Sequence, residues 1–129
     1  MISMGGSSRQ SLATLRAALD KALNGASSGD CSNLSIDLFN ALGALETSAG
    51  LRRALTDPAR DATSKSALVT NLFGSNIKAA ALALISTAAG LRWSAPADLA
   101  DAIEQLAVES EAAAANAENK LDNVQYELF

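Results

Sequence analysis

Ile77-Lys78-Ala79-Ala80-Ala81-Leu82-Ala83-Leu84-Ile85-Ser86-Thr87-Ala88-Ala89-Gly90-Leu91-Arg92 is the stretch whose reading decides the fold. Alanine and leucine favour helix, and nothing here keeps the period of two that a half-buried strand requires. The uncharged part, Ala79 to Leu91, is too short to span a bilayer, which takes about 20 residues. From Ala79 to Ile85 the helix is apolar all round, so it predicts a segment covered on nearly every side. That segment is either a central core helix or a helix whose one face awaits a partner, with alanines permitting close approach.

Upstream of it the chain divides into four more helical segments. Ser7 and Gln10 read as a capping box for a first helix that carries Leu12, Leu15, Leu19 and Leu23 and stops at Gly25. Gly25 to Ser32 reads as a loop holding Cys31. A second helix from about Asn33 carries Leu34, Leu38, Leu42 and Leu45, with Phe39 widening its buried face. A short third helix, near Ala49 to Thr56, adds Leu51 and Leu55. Asp57-Pro58 supplies an N-cap and a first-turn proline to a fourth, which buries Leu68, Leu72 and Phe73 and ends at Gly74.

Downstream, Ser94-Ala95-Pro96 starts a sixth helix, with Ser94 as N-cap and Asp98 favouring the positive helix end. No breaker follows before about Leu128, a reach of about 50 Å at ~1.5 Å per residue. Leu99, Ile103 and Leu106 form one stripe and Leu121, Val124 and Leu128 a second, separated by the alanine-rich run from Glu111 to Ala117. The expected fold is all-α: a six-helix bundle in a single domain, with a long C-terminal helix extending from it over residues 112–129. Residues 1–6 read as an unstructured lead without the pattern of a signal peptide.

Composition narrows the chemistry. Apolar residues make up 49% of the chain but aromatics only 4%, so leucine, alanine, isoleucine and valine must build the core. The net charge of −4 and dispersed basic residues argue against a nucleic-acid footprint. The chain has no histidine and a single cysteine, which removes a serine triad, a histidine-activated Cys31 and the usual zinc sites. Unpaired Cys31 fits a reducing compartment. Gly5-Gly6-Ser7-Ser8 lacks the strand and lysine of a phosphate loop. Asp98, Asp101 and Glu104 read as a solvated helix face, and Arg52–Arg53 as a solvated helix end. Lys65 and Arg92 adjoin apolar faces, where basic side chains usually snorkel or bind helix-end carbonyls. No catalytic residue, cofactor or metal is expected.

The order of these features resembles the N-terminal domain of the ATP synthase delta subunit, a family that includes the mitochondrial oligomycin-sensitivity-conferring protein. The resemblance runs through Leu55-Thr56-Asp57-Pro58, Lys65, Leu68, Leu72-Phe73, the apolar run from Ile77 to Leu91, Arg92, and then Leu99, Ile103 and Leu106. Ser8-Arg9, Asp57-Pro58-Ala59-Arg60, Arg92-Trp93-Ser94 with Pro96, and Leu121-Asp122, Val124 and Glu127-Leu128-Phe129 are similar to the type found in high-GC Gram-positive bacteria. Two departures stand out. Ser11 and Leu12 occupy positions where the wider family has a tyrosine–alanine pair, so the partner groove should differ. The family's C-terminal domain is not matched, so the chain reads as a first helical module.

The resemblance implies a non-catalytic connector that joins the catalytic head of an F-type ATP synthase to its peripheral stalk. It sits peripherally on the cytoplasmic side of the bacterial membrane and is monomeric alone. The implied partners are the N-terminal helix of an alpha subunit, held between the first and fifth helices, and the b subunit through the rest of the full-length protein. Leu12, Leu15, Ala81, Leu84 and Ala88 are the expected contacts. Two rival classes are a helical adaptor that dimerises through its sixth helix and a helical enzyme built on Asp98, Asp101 and Glu104.

Overall fold

A computed structural model describes the backbone of residues 4–127 and the side chains of residues 4–119. It contains α1 (Gly6–Leu23), α2 (Ser28–Thr47), α3 (Ala49–Thr56), α4 (Ala62–Phe73), α5 (Ala79–Gly90) and α6 (Pro96–Glu127). The all-helical, six-helix expectation holds. The most extensive pairing is α2 with α6, followed by α4 with α5. The first helix lies against both α5 and α6, and α3 lies against α6 and α2. Leu15, Leu19, Leu38, Leu45, Leu55, Val69, Ile85, Leu99, Ile103 and Leu106 lie fully buried in one continuous core.

The helix ends correct several sequence readings. The first helix begins at Gly6, and no side chain caps it, so the Ser7–Gln10 box does not form. Gly25 does end it, with a φ of 75° that side chains disfavour. The second helix starts at Ser28, ahead of the expected Asn33, because the Ser27 hydroxyl accepts from the Asp30 N–H at 3.0 Å. What reads as a glycine–serine loop is therefore a capped helix start, and Asp30 adds a favourable charge at its positive end. Cys31 is buried inside that helix.

Asp57-Pro58 forms a turn, with the Asp57 carboxylate accepting from the Ala59 N–H at 2.9 Å. The cap of α4 is Asp61, which accepts from the Ser64 N–H at 2.7 Å. On this helix the row at i, i+4 and i+8, Lys65, Val69 and Phe73, faces the core. Leu72 is exposed and Leu68 only partly buried. Phe39 also points largely outward, beside Ile36 on the same turn-spaced strip of α2. Arg52 is no solvated helix end, since its guanidinium donates to the Leu45 and Glu46 carbonyls and caps α2.

Pro96 opens α6, which places Ala95 rather than Ser94 at the cap position. Burial along α6 is dense from Asp98 to Ser110 and thins beyond it, although Ser28 still reaches the Ala114 carbonyl at 3.3 Å. Of the expected second stripe, the Leu121 and Val124 side chains and all of Leu128 lie outside the described residues, as do residues 1–3 of the expected lead.

Candidate partner-binding surface

The fifth helix is not covered all round. Ala81, Leu84, Ile85, Ala88 and Ala89 are buried, while Ala79, Ala80, Ala83 and Thr87 are exposed. A helix this apolar gains most of its stability from its buried side. Its outward side adds a smooth strip of alanine methyls over which another backbone can pass closely. Its start is held from outside, because the Lys78 N–H donates to the Asp37 carboxylate of α2 at 2.9 Å. An acid from a neighbouring helix thus replaces the missing side-chain cap of α5.

Of the expected contacts, Leu15 and Ala81 are fully inaccessible, as is Ala88, and Leu84 is nearly so. These four form the floor between α1 and α5. Leu12 is partly buried one turn before Arg16, whose guanidinium reaches Glu109 of α6 at 2.6 Å. Leu12 therefore lies on the α6 flank of α1, away from α5. At the C-terminal end of α1, Ala22, Ala26, Leu34, Ala80 and Ala81 line a cleft of about 200 Å³. The accessible apolar side chains of this cleft are Ala22 and Ala80, with Ala26 partly buried, beside exposed Asp30 and Lys78. Exposure on a helix packed on two sides depends on neighbours that periodicity alone does not name.

The other end of α1 is anchored to the connection between α5 and α6. Ser8 donates to the Asp98 carboxylate at 2.7 Å and accepts from the Ser94 N–H at 2.6 Å. Ser11 donates to the Arg92 carbonyl, and the Trp93 indole donates to the Ala88 carbonyl at 2.8 Å. Both serines are buried, which explains why small polar residues stand at these positions on an otherwise apolar face.

Asp98 is buried by this arrangement and is not part of a solvated face. Of the carboxylates proposed with it, Asp101 is half-buried and Glu104 exposed. Burial, and secondarily the charges of Asp98 and Glu104, raise the Asp101 carboxyl above the ordinary aspartate range. None of the three lines any of the clefts described for this protein. No helix among the described residues is long and apolar enough to cross a membrane.

No family model matches the chain. Individual relatives do. A Parafrankia protein named ATP synthase subunit delta is 43% identical over 133 aligned residues, covering 98% of this chain and 48% of the relative. The chain is homologous to ATP synthase subunit delta. The subunit delta of Streptomyces coelicolor is 40% identical across the entire chain and 47% of its own length. That of Pseudarthrobacter chlorophenolicus is 47% identical over 81% of the chain. These relatives come from the high-GC Gram-positive branch that the motifs indicate. The chain spans about half the length of the subunit delta relatives it matches.

Proposed function

We propose that this chain is a non-catalytic connector in the peripheral stalk of an F-type ATP synthase. In this role it acts on the membrane-associated complex from the cytoplasmic side and helps hold the catalytic head against rotation. The homology to subunit delta carries this reading. Its working surface is the seam between α1 and α5, where an amphipathic helix from the N-terminus of an alpha subunit docks. Exposed Ala80, with Ala22 across the cleft, and exposed Ala83 one turn further along α5 form the contact, while Leu15, Ala81, Leu84 and Ala88 support it from below. The b subunit engages through other parts of the full-length protein.

Helix-in-groove docking needs apolar anchors on the guest and a shallow apolar track on the host. Alanine tracks bury little area per residue, so the seam alone gives a modest affinity and further contacts in the assembly must add avidity. The test is titration of the chain with a synthetic peptide of the alpha subunit's N-terminal helix. Ala83→Arg, at an exposed site, should leave the fold intact and weaken binding at least about tenfold, the equivalent of ~1.4 kcal/mol. Val108→Arg on exposed α6 should leave binding unchanged. Equal binding by a folded Ala83→Arg protein sinks the seam assignment. Failure of the chain to recover the alpha subunit from membrane extract sinks the wider reading.

A further inference from the structure

At the end of the bundle away from the alanine cleft, the α3–α4 connection faces the α5–α6 connection across a cleft of about 310 Å³. Ser7, Pro58, Arg60, Lys65, Arg92 and Trp93 contribute to its walls. Three cations thus converge in a chain of net charge −4. Lys65 is only 5% exposed, and among the described residues it has no hydrogen-bond or ion-pair partner. Among the described residues no fully buried side-chain nitrogen lacks a partner, so the Lys65 ammonium keeps its hydration through the cleft itself. That ammonium faces no counter-charge among the described residues, so a guest carboxylate would supply its ion-pair partner.

Among the described residues no nearby acid forms an ion pair with Lys65. Asp57 and Asp61 flank Arg60, but their carboxylates accept from the N–H groups of Ala59 and Ser64 in their own turns. Asp98 is occupied by Ser8. Ser7 also lines the cleft, from a first turn of α1 that has neither an acidic residue nor a side-chain cap. Arg60 and Arg92 are exposed at the rim, where their planar forks can hold a carboxylate through paired hydrogen bonds.

We propose that this cleft receives an acidic side chain from a partner polypeptide. Lys65 supplies the deep charge, Arg60 and Arg92 close on the carboxylate, and Pro58 and Trp93 pack against the aliphatic stem that carries it. A peptide source suits these apolar walls better than a free inorganic anion, which would leave them unused. The site is separate from the α1–α5 seam and does not depend on which protein docks there.

Trp93 is the chain's single tryptophan and lines the cleft, so its fluorescence reports occupancy. The whole chain should be titrated with a short oligoglutamate peptide, an oligoglutamine peptide of equal length, and inorganic phosphate. Oligoglutamate should give a saturable, salt-sensitive change in Trp93 emission and shift the Arg92 side-chain resonance in NMR spectra. Oligoglutamine should do neither. Arg60→Gln and Arg92→Gln, both exposed, should remain folded and weaken oligoglutamate at least about tenfold. Lys21→Gln, at the far end of α1, should have no effect. Absence of a saturable response by both fluorescence and NMR overturns the proposal. So does equal weakening by Lys21→Gln, which would mean diffuse attraction, or phosphate binding as tightly as the peptide.

Discussion

Ser8 and Asp98, ninety positions apart in sequence, meet at 2.7 Å in a buried hydrogen bond between the first turns of the first and last helices. The Ser8 oxygen also accepts the Ser94 N–H, so one hydroxyl satisfies both an acid and a backbone donor. Ser8→Ala would strand a buried carboxylate and an amide together. Unfolding in urea should show a loss of about 2–3 kcal/mol, with Ser8→Thr intermediate. A loss under ~0.5 kcal/mol would mean that water replaces the hydroxyl freely.

Two aspartates should respond to pH with opposite signs. The Asp101 carboxyl is raised, so the folded state holds its proton more tightly and ionisation destabilises it as pH rises above the ordinary value of 3.8. Asp101→Asn should therefore raise the Tm at neutral pH, with the gain vanishing in acid. Asp61 is lowered by its bonds to Ser64, so its contribution is present above 3.8 and lost as pH falls through its folded value. Asp61→Ala should lower the Tm at neutral pH and converge on the parent in acid. Parallel pH profiles for the two variants would contradict both assignments.

Cys31 should resist thiol reagents in the folded chain, because it is buried within α2. Its labelling should quicken sharply in guanidinium and should track unfolding. In Ser27→Ala, which removes the cap one turn earlier at a cost of about 1 kcal/mol, labelling should accelerate under native conditions. Immediate stoichiometric labelling of the folded parent chain would place Cys31 outside the core.

On α4, Val69 and Leu72 give a direct comparison of buried and exposed positions. Val69→Ala removes fully buried methyl groups and should cost about 1.5–3 kcal/mol. Leu72→Ala trims a side chain that is 43% exposed and should cost less than ~1 kcal/mol. The reverse order, measured by thermal or urea unfolding, would restore the leucine to the core.

Much of the architecture was legible in the sequence because leucine stripes and glycine stops carry their information locally. Leu15, Leu19, Leu38, Leu45, Leu99, Ile103 and Leu106 are buried where helical spacing puts them, and Gly25 ends α1 as a positive φ requires. What escaped were contacts settled by a distant neighbour. Packing of α4 against α5 puts Val69 rather than Leu72 in the core. Asp98 looks solvent-facing until Ser8 is brought against it. Of the residues expected to line the α1–α5 seam, Leu15, Ala81, Leu84 and Ala88 are buried. Periodicity identified α5 as unusually apolar, yet only packing distinguishes the leucine floor from the alanine track above it.

The polar attachments of α1 also bear on the order of synthesis. Ser8 and Ser11 find their partners at Ser94, Asp98 and Arg92, and Arg16 finds its counter-ion at Glu109. Chains are made from the N-terminus, and domains fold as units during that process. The first helix leaves the ribosome with no seat, because every residue that anchors it has yet to be translated. Until residues 79–109 emerge, its leucine stripe has neither α5 nor α6 to cover it.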